Sequence, residues 1–177
     1  MDDLVQFGGP EYFFFLSLLL LSRGTDFLST WIATPRLVLE GNPIARRLGW
    51  KLGGVFNVVL CLVFSLWPVA SLMIATSSLL VAARNFQSAW LMRTLGEEQY
   101  RDWYVARIRQ TGLALYLFCL GGQVLLPATV GVGLVLFYGG LLVPFSIGLG
   151  ILGYSFAVLL YTSLALWRIR RASRILI

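Results

Sequence analysis

Arg23, Asp26 and Thr30 stand three and four residues apart inside an otherwise apolar run, YFFFLSLLLLSRGTDFLSTWIA (residues 12–33). On an α-helix that spacing puts all three side chains on one face. A charge left unpaired at membrane depth costs about 2.5–3.5 kcal/mol on insertion scales, so such a face should point into a bundle or a watery cavity. Three further segments add candidates. The loop LVLEGNPIARRLGWK (37–51) brings Glu40 and Asn42, the second apolar run brings Asn57, and the third, VASLMIATSSLLVAARNFQSAWLM (69–92), brings Arg84 and Asn85, with Gln87 and Ser88 close behind. Carboxylate, amide and hydroxyl oxygens suit a hard cation such as Mg²⁺, Ca²⁺ or Na⁺. Asp26 and Glu40 are therefore the candidate metal ligands, and a divalent cation is the candidate cofactor. The arginines favour an anionic group such as a lipid phosphate. A phosphate–metal pair would use both.

The E-G-N-P string also has a purely structural account. Gly41 can end a helix, Asn42 can cap the next, Pro43 fits its first position, and Glu40 lies near the positive helix end. Other chemistry is excluded. The chain has no histidine, which removes His-ligated haem, ordinary His-based zinc sites and imidazole triads. Cys61 and Cys119 both lie in apolar runs, where a free thiol acts as a small hydrophobe.

These residues need helices to hold them. Of 177 residues, 58% are hydrophobic and 12% charged, against about 25% charged in a soluble domain. Apolar runs near twenty residues long recur along the chain, the pattern of an all-α, polytopic membrane bundle. The start, MDDLVQFGGPEY, is acidic where a signal peptide would be basic, so the first span is expected to be retained. That span covers about 12–33 and stops before Pro35. As one helix the stretch 52–92 would extend about 60 Å, twice the hydrocarbon thickness. SLWPVAS (65–71) offers the break, giving spans near 52–66 and 69–92. The stretch 112–167 should hairpin around LFYGGLLVP (136–144), with LPATVGVG (126–133) as a competing turn.

Five spans then place every basic segment on one side. The N-terminus carries Asp2, Asp3 and Glu11. The first loop carries Arg36, Arg46, Arg47 and Lys51, the segment after 92 carries Arg93, Arg101, Arg107 and Arg109, and the C-terminus carries Arg168, Arg170, Arg171 and Arg174. Lys and Arg collect on the cytoplasmic side, so the N-terminus is expected outside and the C-terminus in the cytoplasm. The net charge of +6 needs no nucleic acid to explain it. Residues 93–110 put Tyr100, Trp103, Tyr104 and Ile108 on one helical face, a helix that either lies on the leaflet or packs on its own bundle. The expected organisation is a three-helix core (1–92), a cytoplasmic amphipathic segment (93–110) and a two-helix hairpin with a basic tail (111–177). Gly148, Gly150 and Gly153 allow close helix approach, either within that hairpin or between copies in a homo-oligomer. At 1.5 Å per residue, Asp26 lies about 21 Å from Tyr12 and Arg84 about 22 Å from Val69. With the first and third spans parallel, the two residues share one slab of the cytoplasmic half and should meet.

The pattern Asp26-x-x-x-Thr30, Glu40-Gly41-Asn42-Pro43, a lysine (Lys51) opening the second span and Asn85 late in the third resembles a family of small prokaryotic membrane proteins of unknown function. That family has a D-x-x-x-T helix followed by E-x-N-P. The resemblance covers about residues 12–92. It implies a three-helix core in which Asp26, Thr30, Glu40, Asn42 and Asn85 belong together, in a bacterial or archaeal cytoplasmic membrane. It implies no activity, and Arg23 and the segment 93–177 are additions to it. LGEEQYRDWYVARIR (95–109) is also loosely similar to a cytoplasmic segment of isoprenylcysteine-type membrane methyltransferases.

The expectation is a polar cavity lined by Arg23, Asp26, Thr30, Asn57, Arg84 and Asn85 and lidded by Glu40 and Asn42. It would bind or translocate an ion or a lipid headgroup, with the bilayer, an anionic lipid or a small ion as partners. Two other classes stay open. One is a membrane enzyme acting on a lipid, with Asp26 or Glu40 as acid–base group. The other is an assembly subunit whose polar residues only fix helix register.

Overall fold

The computed structural model describes residues 4–41 and 43–174, and their side chains except at 43, 44 and 172–174. Among the described residues the chain is all-helical: α1 (Pro10–Ala33), α2 (Pro43–Phe64), α3 (Pro68–Leu95), α4 (Glu97–Gln110), α5 (Leu113–Leu136) and α6 (Leu142–Arg174). Proline opens the first three, at a position whose N–H has no intrahelical partner anyway. Five of the helices are long and apolar enough to cross a membrane, namely all but α4. The 24 residues of α1 span about 36 Å at 1.5 Å each, enough for a hydrocarbon core of about 30 Å. The break falls at Pro68 and the late turn between Leu136 and Leu142. Pro127, in the competing turn, lies inside α5.

Side-chain pairings fix the helix directions. Tyr12 Oη donates to the Leu62 carbonyl (3.2 Å) and Trp50 Nε1 to the Pro35 carbonyl (2.7 Å), so α1 and α2 are antiparallel. Arg23 reaches Ser78 and Asn85 reaches Thr30, so α1 and α3 are parallel. Ser77 Oγ donates to the Gly150 carbonyl (2.9 Å) and Arg84 meets Thr162, so α6 runs with α3. One end of the bundle therefore gathers the loop 34–41, the start of α2, α4 and the last turns of α3 and α6. This basic end is where Arg93 lies over the Trp31 ring at 5.8 Å.

Packing centres on α3, which lies along α1 on one side and α6 on the other. Its face toward α1 is built from small residues: Ser71, Ala75, Ser78, Ala82 and Ala89 are all buried. Their spacings of three, four and seven keep them in one seam. On α1 the matching buried residues are Tyr12, Leu19, Ser22, Ser29 and Ala33. Small side chains let membrane helices approach closely, so van der Waals contact can replace a hydrophobic force that lipid cannot supply. The glycines of α6 work the same way within the chain. Gly148 abuts Gly131 of α5, and Gly150 abuts Met73 and Thr76 of α3.

Near its start α2 is broken at Gly49 (φ 64°, ψ −172°), a backbone state that only glycine adopts without strain. The bend brings Trp50 edge-on to Phe27 of α1 (centroids 4.9 Å apart). On α4 the aromatic stripe divides. Tyr100 and Ile108 are buried against the bundle, while Trp103 and Tyr104 stay at the surface.

A Cβ at Gly150 would sit 2.7 Å from the Met73 carbonyl oxygen and 2.7 Å from Thr76 Cβ, whereas one at Gly121 meets nothing within 4 Å. Gly150→Ala should therefore force α3 and α6 apart and cost about 1–3 kcal/mol. Gly121→Ala should be neutral or stabilising by up to about 1 kcal/mol. Equilibrium unfolding of both variants in the same detergent measures the contrast.

Candidate functional site

Arg23 is the hub of the polar seam. Its Nε donates to Asn57 Oδ1 of α2 at 2.8 Å, and Nη2 donates to the same oxygen. Nη1 donates to Asp26 Oδ2 at 3.0 Å and to Ser78 Oγ of α3 at 3.2 Å. One guanidinium thus ties three helices together, using the spread of donors that lysine lacks. Asn57 is oriented for this by its own Nδ2, which donates to the Gly53 carbonyl one turn back (2.8 Å). Asp26 is 16% and Arg23 28% exposed. Asp26 Oδ1 has no hydrogen-bond partner among the described residues.

One turn closer to the basic end, Asn85 of α3 donates from Nδ2 to both Ser29 Oγ (3.1 Å) and Thr30 Oγ1 (3.2 Å). Ser29 Oγ in turn donates to the Asp26 carbonyl at 2.8 Å. Five of the expected residues, Arg23, Asp26, Thr30, Asn57 and Asn85, therefore share this seam. Glu40 approaches from the loop and lies within electrostatic reach of Asp26. Asn42 lies outside the described residues.

Arg84 does not join them. It points to α6, where Nη2 meets Thr162 Oγ1 at 3.4 Å, and it acts electrostatically on Tyr116 of α5. The reason is azimuthal: successive residues on a helix lie about 100° apart, so with Asn85 in the α1 seam Arg84 must face elsewhere. With Arg84 elsewhere, Arg23 and Asp26 form a charge-balanced pair. No group of three or more His, Cys, Asp or Glu residues that could hold a metal ion occurs among the described residues.

The polar seam is one-sided. Beyond Arg23, away from the basic end, α1, α2 and α3 close on the apolar cluster Leu19, Cys61 and Ala75, backed by Leu16, Leu18, Phe64 and Ile74. Past that plug the buried polar side chains Tyr12, Ser65 and Ser71 donate to backbone carbonyls of α2.

A second polar centre was hidden within a charge run. Glu97, the first residue of α4, is 5% exposed. Its carboxylate accepts hydrogen bonds from the Thr34 hydroxyl (2.5 Å), the Arg36 N–H (2.8 Å) and the Val38 N–H (3.0 Å), with the Arg36 guanidinium 3.7 Å away. Leu37 between them has φ 57°. That left-handed residue turns the flanking N–H groups toward one point, an anion-binding nest. Helix α4 supplies the anion, so the loop that carries Glu40 is held in place by Glu97. Two of its three hydrogen-bond donors are backbone N–H groups, which leave no sequence signal.

The fold and the seam define a multi-pass helical bundle with a polar seam that runs toward its basic end. No protein-family model, curated protein or solved structure matches the chain.

Burial alone would raise the Glu97 carboxyl. The Thr34 hydroxyl, the Arg36 and Val38 N–H groups and the Arg36 charge outweigh it and hold the carboxyl below its ordinary value. A carboxyl that is more acidic folded than unfolded adds stability above its unfolded value, about pH 4.3, and loses it as pH falls through the folded one. The thermal midpoint should therefore fall on acidification through and below that range. Glu97→Gln should flatten that dependence and cost about 1–3 kcal/mol at neutral pH. Midpoints measured across pH for both proteins test it.

Proposed function

We propose that this is an integral protein of a bacterial or archaeal cytoplasmic membrane, with its N-terminus outside and its basic end in the cytoplasm. There it binds an ion or a lipid headgroup at the polar seam between α1 and α3, on the side of the loop 34–41. The observation that carries this reading is Asp26 Oδ1: a carboxylate oxygen at membrane depth, part-exposed and without a hydrogen-bond partner among the described residues. An ionised carboxylate in such surroundings needs a counter-charge or a donor. Arg23 supplies the counter-charge and a donor to Oδ2, and a cation or a donor-bearing headgroup is the proposed partner of Oδ1. Glu40 adds a second carboxylate at the mouth, and Thr30 adds a hydroxyl oxygen. The D-x-x-x-T and E-x-N-P elements act as one unit in this reading. The apolar plug behind Arg23 favours binding from one side over conduction through an open pore.

A ligand at a hundred times its dissociation constant adds about 2.7 kcal/mol of stability. The wild-type protein should be stabilised by added Na⁺ or Mg²⁺, or retain a lipid seen by native mass spectrometry. Asp26→Asn should lose that response while still folding, because the new amide oxygen can still accept from Arg23. Identical ion responses and retained masses in the two proteins contradict the proposal.

A further inference from the structure

At the basic end, Arg46 and Arg47 from the first turns of α2 and Arg168 from the last turns of α6 converge on one cavity of about 320 Å³, with Glu40 and Gly41 completing its wall. None of the three arginines forms an ion pair among the described residues. Three guanidiniums against one carboxylate leave the lining with an excess of positive charge. All three are exposed, so water and salt screen part of their repulsion, and a bound anion would offset the rest. The volume falls within the range of about 300–1,000 Å³ typical of ligand pockets. It is also far larger than the roughly 30 Å³ that one water occupies.

The depth of the cavity narrows the ligand. Trp167 directly precedes Arg168, and Arg171 stacks over the Trp167 ring at 5.2 Å. Trp50, just past the α2 bend, is tied to the Pro35 carbonyl. Tryptophans of this kind sit at the membrane–water interface, at headgroup level. Guanidinium groups match phosphate oxygens in pairs of parallel hydrogen bonds. We propose that this cavity binds a phosphate group carrying more than one negative charge, as on a phosphomonoester lipid or a soluble phosphate, with Arg46, Arg47 and Arg168 as its donors and Glu40 setting the limit of affinity. The site rests on the membrane placement given above but not on Asp26. Glu40 links it to the seam, because Glu40 both lines the cavity and lies within electrostatic reach of Asp26.

Native mass spectrometry of the full chain in neutral detergent, titrated with phosphatidic acid, tests this. The wild type should bind, and the double variant Arg46→Gln/Arg168→Gln should bind about ten-fold or more weakly, as expected when two basic groups are removed from a headgroup site. Glu40→Gln should bind more tightly, a change of direction that misfolding does not produce. Equal affinity in the wild type and the double variant, or weaker binding by Glu40→Gln, overturns the proposal. Displacement of the lipid by millimolar inorganic phosphate assigns the site to a soluble phosphate. Retention of the lipid assigns it to a headgroup. Asp26→Asn separates the two readings. If it changes nothing while the double variant loses phosphatidic acid, the cavity stands and the Asp26 reading falls. If Asp26→Asn loses its ligand response while the double variant binds phosphatidic acid normally, the Asp26 reading stands and the cavity falls.

Discussion

A guanidinium inside an apolar helix bundle has to be satisfied by protein, and the arrangement of α1, α2 and α3 follows from how Arg23 is satisfied. Asp26 supplies a charge from the same helix face, Asn57 an amide oxygen from α2, and Ser78 a hydroxyl from α3. Each acceptor fixes a rotation and a height for its helix. Those heights agree with the pairing of Asn85 to Ser29 and Thr30 one turn away. The approach is close enough because the α3 face is made of serine and alanine. Larger side chains there would hold α1 off and leave Arg23 short of its partners.

The same logic makes the bundle asymmetric. Arg23, Asp26, Ser78, Asn85 and Thr30 mark a polar stretch of the seam, with Ala82 and Ala89 packed beside them, while Leu19, Cys61 and Ala75 close it on the other side. At the basic end a second charge, Glu97, organises the chain differently. It gathers the backbone N–H groups of the loop 34–41 and so fixes where Glu40 sits. The left-handed Leu37 carries a strain of roughly 1–2 kcal/mol, which the converging hydrogen bonds to a buried carboxylate can offset. The polar seam is thus held at Arg23, and the loop at its basic end is held at Glu97.

Much of this was legible in the residues. Hydropathy and span length give five membrane helices, and Pro68 marks the break between α2 and α3. The bend at Gly49 was not legible, because that glycine lies within a segment that otherwise reads as the approach to a helix. Depth was legible and azimuth was not. Rise per residue puts Arg84 and Asn85 at the level of Asp26, yet only one of two adjacent residues can face α1. The serine–alanine heptad from Ser71 to Ala89 carries that choice, since Asn85 continues it and Arg84 does not. Arg46, Arg47 and Arg168 were legible only as topology signals, because their convergence depends on how α2 and α6 end. Glu97 was hidden because two of its three hydrogen-bond donors are backbone amides, which every residue other than proline possesses.

One arginine, in this account, couples α1 to its neighbours through hydrogen bonds inside the membrane. A double-mutant cycle on equilibrium unfolding between Arg23→Gln and Asn57→Ala measures that coupling most directly. The expected result is an interaction energy of about 1 kcal/mol or more, at the upper end of intramembrane hydrogen bonds. Strict additivity of the two substitutions would contradict it.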